Sequence, residues 1–481
     1  MINSKLIELL RHFNAKQLRL FGDFVASPFF NKNDELGRMY AYLRTYGPRF
    51  VKKAGLSKQS VFSASVPGST YDEKKMGYLM SDMHRLIEQF LVVSKQEQEQ
   101  VKSMVSLLSI YDDLGLEKHF NKTLRESRKA LEESAHRNAD FYYLQYLVDR
   151  AETSFLAHQR KHKAGTTLQS VVDNLDMYYL ANKLLYSGEI LNRQNVVSAD
   201  YKVRLLDEIL QNLESHPGKE APVVSIYYQV LMCLREPGQQ GHYGDLKQLL
   251  IDHTAEFPKE EAYNMYFFAL NYCIKKINSG EQRYLTELFK LYQTMIENNL
   301  LYIGKHLSQW TYKNVVQTGL RLNEHQWVEQ FIHQQKDFLP EHERENAISF
   351  NLASLYFDKA DYDRAFELLN NVEYSDIMYN LGAKSMLIRI YYELQEIDSL
   401  YSLLDAYNIY LKRNKLISQY YRKINLNMVK FVKSLLKLRK GENDKALALK
   451  TKLNETKEVA YSNWLHEKLD KLITKAPKVV A

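Results

Sequence analysis

Five positions in this chain recur at nearly constant distance. Leu352, Ala353, Tyr356, Ala365 and Leu369 reappear 35 residues later as Leu387, Ile388, Tyr391, Leu400 and Leu404, and 37 residues earlier as Val315, Val316, Gly319, Val328 and Ile332. Within each set the 3–4 residue steps put the apolar residues on one helical face, first on one helix and then on a second. A helical pair of this kind cannot bury both of its apolar faces by itself. It must stack on a like neighbour, so the pattern demands a series of hairpins rather than a single closed globule. Small residues such as Ala353 and Ala365 let the paired helices approach closely.

The spacing and the residue types resemble tetratricopeptide (TPR) repeats, which have a period near 34 residues. Pro340 follows a second helix at the place where that pattern also puts a proline. The three units lack the tryptophan of the TPR pattern, and Ile388 and Leu400 stand where it has small residues. The resemblance implies an all-α fold with a TPR-like α-α superhelix, clearest over about 300–411. Five helix pairs are expected, at about 222–236 with 242–255, 262–278 with 281–298, 304–321 with 324–336, 346–358 with 361–371, and 377–394 with 397–411. Upstream, Leu107, Leu108, Tyr111, Leu114, Phe120, Leu124 and Leu131 make a further pair. Phe141, Leu144, Leu147, Phe155, Leu168, Val172, Leu175 and Tyr179 make the next, and Tyr201–Leu213 another helix stopped by His216-Pro217-Gly218. The 18 Gly and 9 Pro among 481 residues agree, because long helices joined by short loops need few turn residues.

Residues 1–97 read as a separate helical head, and residues 98–481 as the repeat region. Asn14 and Gln17 have capping-box spacing ahead of Leu18, Phe21 and Val25. Asn33 caps a helix with Leu36, Met39, Tyr40 and Leu43. Asp72–Val93 carries Met76, Leu79, Met83, Leu86, Ile87 and Phe90 at helical spacing. Three motifs mark the head: Ser27-Pro28-Phe29-Phe30-Asn31-Lys32, Pro67-Gly68-Ser69-Thr70-Tyr71-Asp72 and Leu79-Met80-Ser81-Asp82. On these it resembles the N-terminal part of a family of uncharacterised bacterial proteins. That family has no assigned activity, so no functional residue carries over.

Charge is polarised along the chain. Residues 412–481 hold 18 Lys and Arg against 6 Asp and Glu, and the first hundred hold 15 against 10, so the 311 residues between carry a net −10 within an overall +7. Residues 412–440 contain ten basic residues and no acid. On a helix Arg422, Lys423, Lys430, Lys433, Lys437 and Lys440 share one arc, a candidate basic contact face, opposite Ile417, Tyr420, Tyr421, Ile424, Met428, Phe431, Val432, Leu435 and Leu438. This face suits nucleic acid, an acidic protein or an anionic surface. It also suits plain solvation and pairing with the acidic middle.

No catalytic signature is present: no Walker A sequence, no G-x-S-x-G elbow, no H-E-x-x-H. Gly238, Gly241 and Gly244 read as an inter-helix loop. His158 and His162 read as a surface pair among Arg160, Lys161 and Lys163, and Glu133 with His136 is a single E-x-x-H without the second that a di-iron bundle needs. No cofactor or metal is expected, and Cys233 and Cys273 read as reduced core thiols. No stretch reaches the ~20 apolar residues of a membrane span. The expectation is a cytoplasmic, non-enzymatic interaction scaffold holding a peptide or helix of an unknown partner protein on its repeats. A nucleic-acid-associated or regulatory protein using the basic C-terminal helix is the alternative.

Overall fold

The N-terminal helices form because their first turns are capped by the residues preceding them. Ser4 accepts from the Ile7 amide ahead of α1 (Lys5–Arg11). Asn14 and Gln17 close the expected capping box on α2 (Ala15–Ala26), and Asn33 accepts from Glu35 N to start α3 (Asp34–Arg44). Ser57 caps α4 (Lys58–Ser65), and Asp72 accepts from Lys74 N and Lys75 N at the start of α5 (Glu73–Gln98). Each such cap satisfies an otherwise orphaned amide and contributes about 1 kcal/mol. The computed structural model describes residues 1–47, 50, 54–159, 166–194, 201–215, 221–370, 376–456 and 458–473. Among them the fold is all-α: 23 α-helices and one two-residue β pairing.

The five head helices enclose one core. Phe21 is fully buried, and its ring meets those of Phe13, Tyr40 and Phe90 at centroid distances of 6.0, 4.8 and 5.3 Å. Tyr40 donates its hydroxyl proton to Leu18 O at 2.5 Å, and burial pushes its pKa up to about 12. The Ser27–Lys32 motif is a turn organised by Asn31, whose Nδ2 donates to Val25 O and Asn33 O while its Oδ1 accepts from Asn33 N. Phe30 stacks on Phe24 at 4.0 Å, and Phe29 points outward, 85% exposed.

The chain divides into two compact units, residues 1–186 with 205–224 and residues 187–204 with 225–481. The head keeps its own core inside the first unit, which continues through α6 (Gln100–Asp113), α7 (Glu117–Glu132) and α8 (Ala139–His158). These three pack around Leu108, Phe120, Leu124, Leu131, Phe141, Val148 and Phe155, with Phe120 and Phe155 stacked at 3.8 Å. Helix α9 (Thr166–Gln194) follows, then α10 (Leu206–Ser215). The expected helix start at Tyr201 is corrected to Leu206, since Leu205 takes a left-handed φ of 62° and breaks the run. Pro217-Gly218 lies outside the described residues.

The second unit continues through α11 (Pro222–Arg235), α12 (Gln240–His253), α13 (Lys259–Asn278), α14 (Tyr284–Glu297), α15 (Gln309–Arg321), α16 (His325–Gln335), α17 (Glu341–Asp358), α18 (Tyr362–Asn370), α19 (Ile377–Glu393) and α20 (Ile397–Arg413). Helices stand at the positions of all five expected pairs, with two corrected starts. Residues 304–308 are not helical: β1 (Tyr302–Ile303) pairs with β2 (His306–Leu307) across Gly304, whose φ is 64°. Helix α17 begins at Glu341, directly after Pro340, because a proline's fixed φ and missing N–H suit a helix start as well as a stop.

One turn joins the two helices of each clear repeat. Asn323, Ala360 and Gln395 have φ of 60°, 59° and 61°, and the next residue's amide donates five residues back, Glu324 to Gly319 O, Asp361 to Tyr356 O and Glu396 to Tyr391 O. This is the six-to-one bond of a Schellman motif, which ends a helix on backbone groups alone. The left-handed residues are spaced by the same 37 and 35 as the apolar pattern. Gly115 and Gly280 make the same turn between α6 and α7 and between α13 and α14, with Leu116 donating to Tyr111 O and Glu281 to Lys276 O.

The packing is serial. Helix α15 contacts α16 and also α17, and α17 contacts α18 and also α19. Val315, Val316, Val328, Ile332, Ala353, Ala365, Leu369, Ile388, Leu400 and Leu404 are all fully buried. A Cβ added at Gly319 would lie 2.5 Å from Val328 Cγ2 and 3.3 Å from Phe289 Cε2, so this position is small because two neighbouring helices press on it. Among the described residues α21 (Gln419–Leu435), α22 (Asn443–Glu455) and α23 (Ser462–Leu472) follow. Trp464 and Lys468 of α23 reach back to Glu393 of α19, with Trp464 Nε1 donating at 2.9 Å and the Lys468 ammonium at 2.5 Å.

Candidate interaction surfaces

The basic face is divided by the fold. Helix α20 ends at Arg413 and α21 begins at Gln419, so residues 412–440 are not one helix. Arg422, Lys423, Lys430 and Lys433 lie on α21, whereas Lys437 and Lys440 lie in the turn beyond it. The single six-residue arc is therefore corrected. Arg422 is turned inward: its Nε donates to Leu411 O, and its Nη2 to Asn414 O and Ile417 O, which binds the carbonyls where α20 stops. Lys423 pairs with Glu458 at 2.6 Å, and Lys433 with Asp405. Lys430, Lys437 and Lys440 are exposed and make no ion pair among the described residues. On the apolar side Ile417, Met428, Phe431, Val432 and Leu435 are buried as expected, but Tyr420 and Tyr421 are 57% and 38% exposed.

The other sequence motifs hold no chemistry together. His158 Nδ1 meets Asp112 Oδ2 at 3.0 Å, and His162 lies outside the described residues. Glu133 is the residue after α7 and His136 stands in the following loop, so the E-x-x-H is not on a helical face. Gly241 and Gly244 sit inside the first turns of α12 rather than in a loop, where no side chain comes within 4 Å of the space a Cβ would take. Among the described residues no group of three His, Cys, Asp or Glu is placed to hold a metal ion. Cys233 and Cys273 are buried and free, with thiols pushed by burial to about 12. No described helix is long and apolar enough to cross a membrane.

Among the described residues of the second unit five lysines sit over aromatic rings, none of them marked by the sequence: Lys359 and Lys384 each lie over one tyrosine, at 5.9 and 5.6 Å, and the others are Lys276, Lys468 and Lys313. Lys276 Nζ lies 5.8 Å from the Tyr272 ring and 5.7 Å from the Tyr284 ring, and pairs with Glu281 at 2.6 Å. Lys468 Nζ lies 6.0 Å from the Trp464 ring and pairs with Glu393 at 2.5 Å. Lys313 Nζ lies 5.0 Å from the Phe350 ring and 5.5 Å from the Tyr379 ring, yet among the described residues no carboxylate comes within the 4.0 Å of an ion pair. Lys313 belongs to α15, Phe350 to α17 and Tyr379 to α19, so the first helices of three successive repeats build this place. Burial lowers the lysine's pKa from its ordinary value, offset in part by Asp376.

The largest departure from the expected packing is on α9. Leu168, Val172, Leu175 and Tyr179, read from the sequence as packing residues, are 59%, 46%, 42% and 41% exposed, and Tyr186 is 58% exposed. At 100° per residue these five fall within an arc of about 60°, over a length of about 27 Å. The opposite side is held: Ser170 Oγ and Asn174 Nδ2 donate to Asp149 Oδ2 of α8, and the Tyr143 and Tyr178 rings meet at 4.9 Å. Asp176 is exposed about 40° from the edge of the stripe, and Lys183 lies between them, about 20° from that edge. An uncovered row of this size is the kind of surface that marks an interaction site.

Comparison with family models finds none that matches the chain, and comparison with the curated proteins and with the solved structures gives no significant match.

Proposed function

We propose that this chain is a non-enzymatic interaction scaffold of the cytoplasm. Its hairpins stack as a TPR-like superhelix behind a head like that of the bacterial family it resembles, and the array holds a helix of a partner protein. The α9 stripe carries the reading. Its spacing of four, three and four residues is that of a helix awaiting another helix, with apolar side chains to enter the partner's surface.

The test is affinity capture from lysate with the full chain and with a Leu175→Glu, Tyr179→Glu double variant. Both positions are exposed, so the variant keeps the wild-type circular dichroism spectrum. A partner recovered by the wild type and lost by the variant supports the reading. Identical recoveries, or no reproducible partner for either, count against it.

The second reading, contact with nucleic acid through α21 and its following turn, rests on Lys430, Lys437 and Lys440 alone, because the other three basic residues are engaged within the chain. Such binding would fall steeply with salt and disappear on replacing these three lysines by Glu.

A further inference from the structure

We propose that the space over Lys313 is a receptor for a single carboxylate of a bound peptide. It is formed by Lys313 of α15 between the Phe350 ring of α17 and the Tyr379 ring of α19.

Lys276 and Lys468 have the same construction, a mostly buried ammonium over aromatic rings, and each is completed by a glutamate within 2.6 Å. Ring faces attract a cation but return only part of the hydration it loses, and all three ammonium protons want acceptors. A desolvated ammonium is ordinarily matched by an anion. At Lys313 the rings are nearer than at the other two, at 5.0 and 5.5 Å, and the anion is missing among the described residues. The acid whose charge acts on it is Asp376, whose Oδ1 is already used, accepting from Met378 N and Tyr379 N as the cap of α19.

The place is shaped as well as charged. Gly382 lets α19 come against the other two helices: a Cβ there would lie 2.8 Å from Phe350 Cζ and 3.9 Å from Lys313 Nζ. Lys313 keeps part of its surface open to solvent. Trp310, one turn before it on α15, is 38% exposed with its ring 5.7 Å from that of Tyr379, which offers an apolar wall for the residue carrying the carboxylate. One positive charge, already felt by the negative charge of Asp376, suits a singly charged carboxylate better than a doubly charged phosphate.

This inference rests on the reading of the chain as a scaffold for peptides, but it concerns different residues, and the two fail separately. The experiment presents the immobilised full chain with three random hexapeptide libraries: one ending in a free carboxylate, one ending in carboxamide, and one carboxamide library with a fixed internal Glu. Retention of the first library alone assigns a chain terminus. Retention of the third as well assigns any exposed carboxylate. In either case Lys313→Gln should weaken retention on the order of tenfold or more, while Leu175→Glu with Tyr179→Glu leaves it unchanged. In the chain labelled with 13C at lysine Cε, the Lys313 resonance should titrate below the ordinary lysine range and move upward when a retained peptide is added. A destabilised fold would not produce that shift. No retention, equal retention of the plain carboxamide library, unchanged retention by Lys313→Gln, or a Lys313 titration moved by inorganic phosphate and not by peptide would each overturn the proposal.

Discussion

The head and the three clear hairpins use the same material, amphipathic helices with capped or tightly turned ends, and organise it in opposite ways. In the head, α1 to α5 share one buried core, within which Phe21 meets Phe13, Phe24, Tyr40 and Phe90. Over α15 to α19 the contacts instead run from hairpin to hairpin, and α19 and α20 then share a closing core with α21 to α23. Helices α15 and α16 both touch α17, and α17 and α18 both touch α19, so each hairpin bears on the next. The difference teaches where a defect is felt. A hole in a shared centre is felt by every helix around it, whereas a hole in a line is felt by its neighbours and fades beyond them.

The strongest test of this contrast is Phe21→Ala. It should cost about 3–5 kcal/mol and remove hydrogen-exchange protection from all five head helices together. Protection lost from α2 alone would break the comparison. Gly319→Ala should cost about 1–3 kcal/mol, since the new methyl meets Val328 at 2.5 Å. Its loss of protection should be greatest in α14 to α16 and small in α19 and α20; uniform loss across the hairpins would show that they melt as one body. Ala360→Gly should stabilise by about 0.5–1 kcal/mol, because glycine accepts the left-handed φ that alanine holds at a cost exceeding glycine's own chain entropy. Denaturant unfolding reads that gain, and a loss of stability would mean the turn is not strained. Smallest, Lys430→Glu and Lys437→Glu should each stay within about 0.5 kcal/mol, being exposed and unpaired among the described residues. A larger change in thermal unfolding would reveal a structural task for the basic face.

The hairpins were legible in the sequence because one apolar face per helix, repeated at 35 and 37 residues, constrains both helix type and order. The recurrent left-handed residue was less so: Asn323, Ala360 and Gln395 share a backbone conformation and no side-chain chemistry. Periodicity misled at α9, because Leu168, Val172, Leu175 and Tyr179 announce an apolar face without announcing what covers it. The basic arc failed for a related reason. Ten cations between 412 and 440 suggested one continuous face, but Arg422 is drawn inward by the carbonyls at the end of α20, and the chain turns before Lys437. The Lys313 place had no sequence signal, since a lone lysine in a helix reads as solvated and its two rings stand 37 and 66 residues away. Only their meeting across three helices gives them meaning.

The six-to-one turn has a consequence for how such a chain can change over time. Because main-chain atoms alone close it, glycine, asparagine, alanine and glutamine all serve at its left-handed position. A hairpin gained or lost by recombination would bring its own connection with it, and no matching loop sequence would have to arise alongside. The length of the array is thus open to change in whole steps.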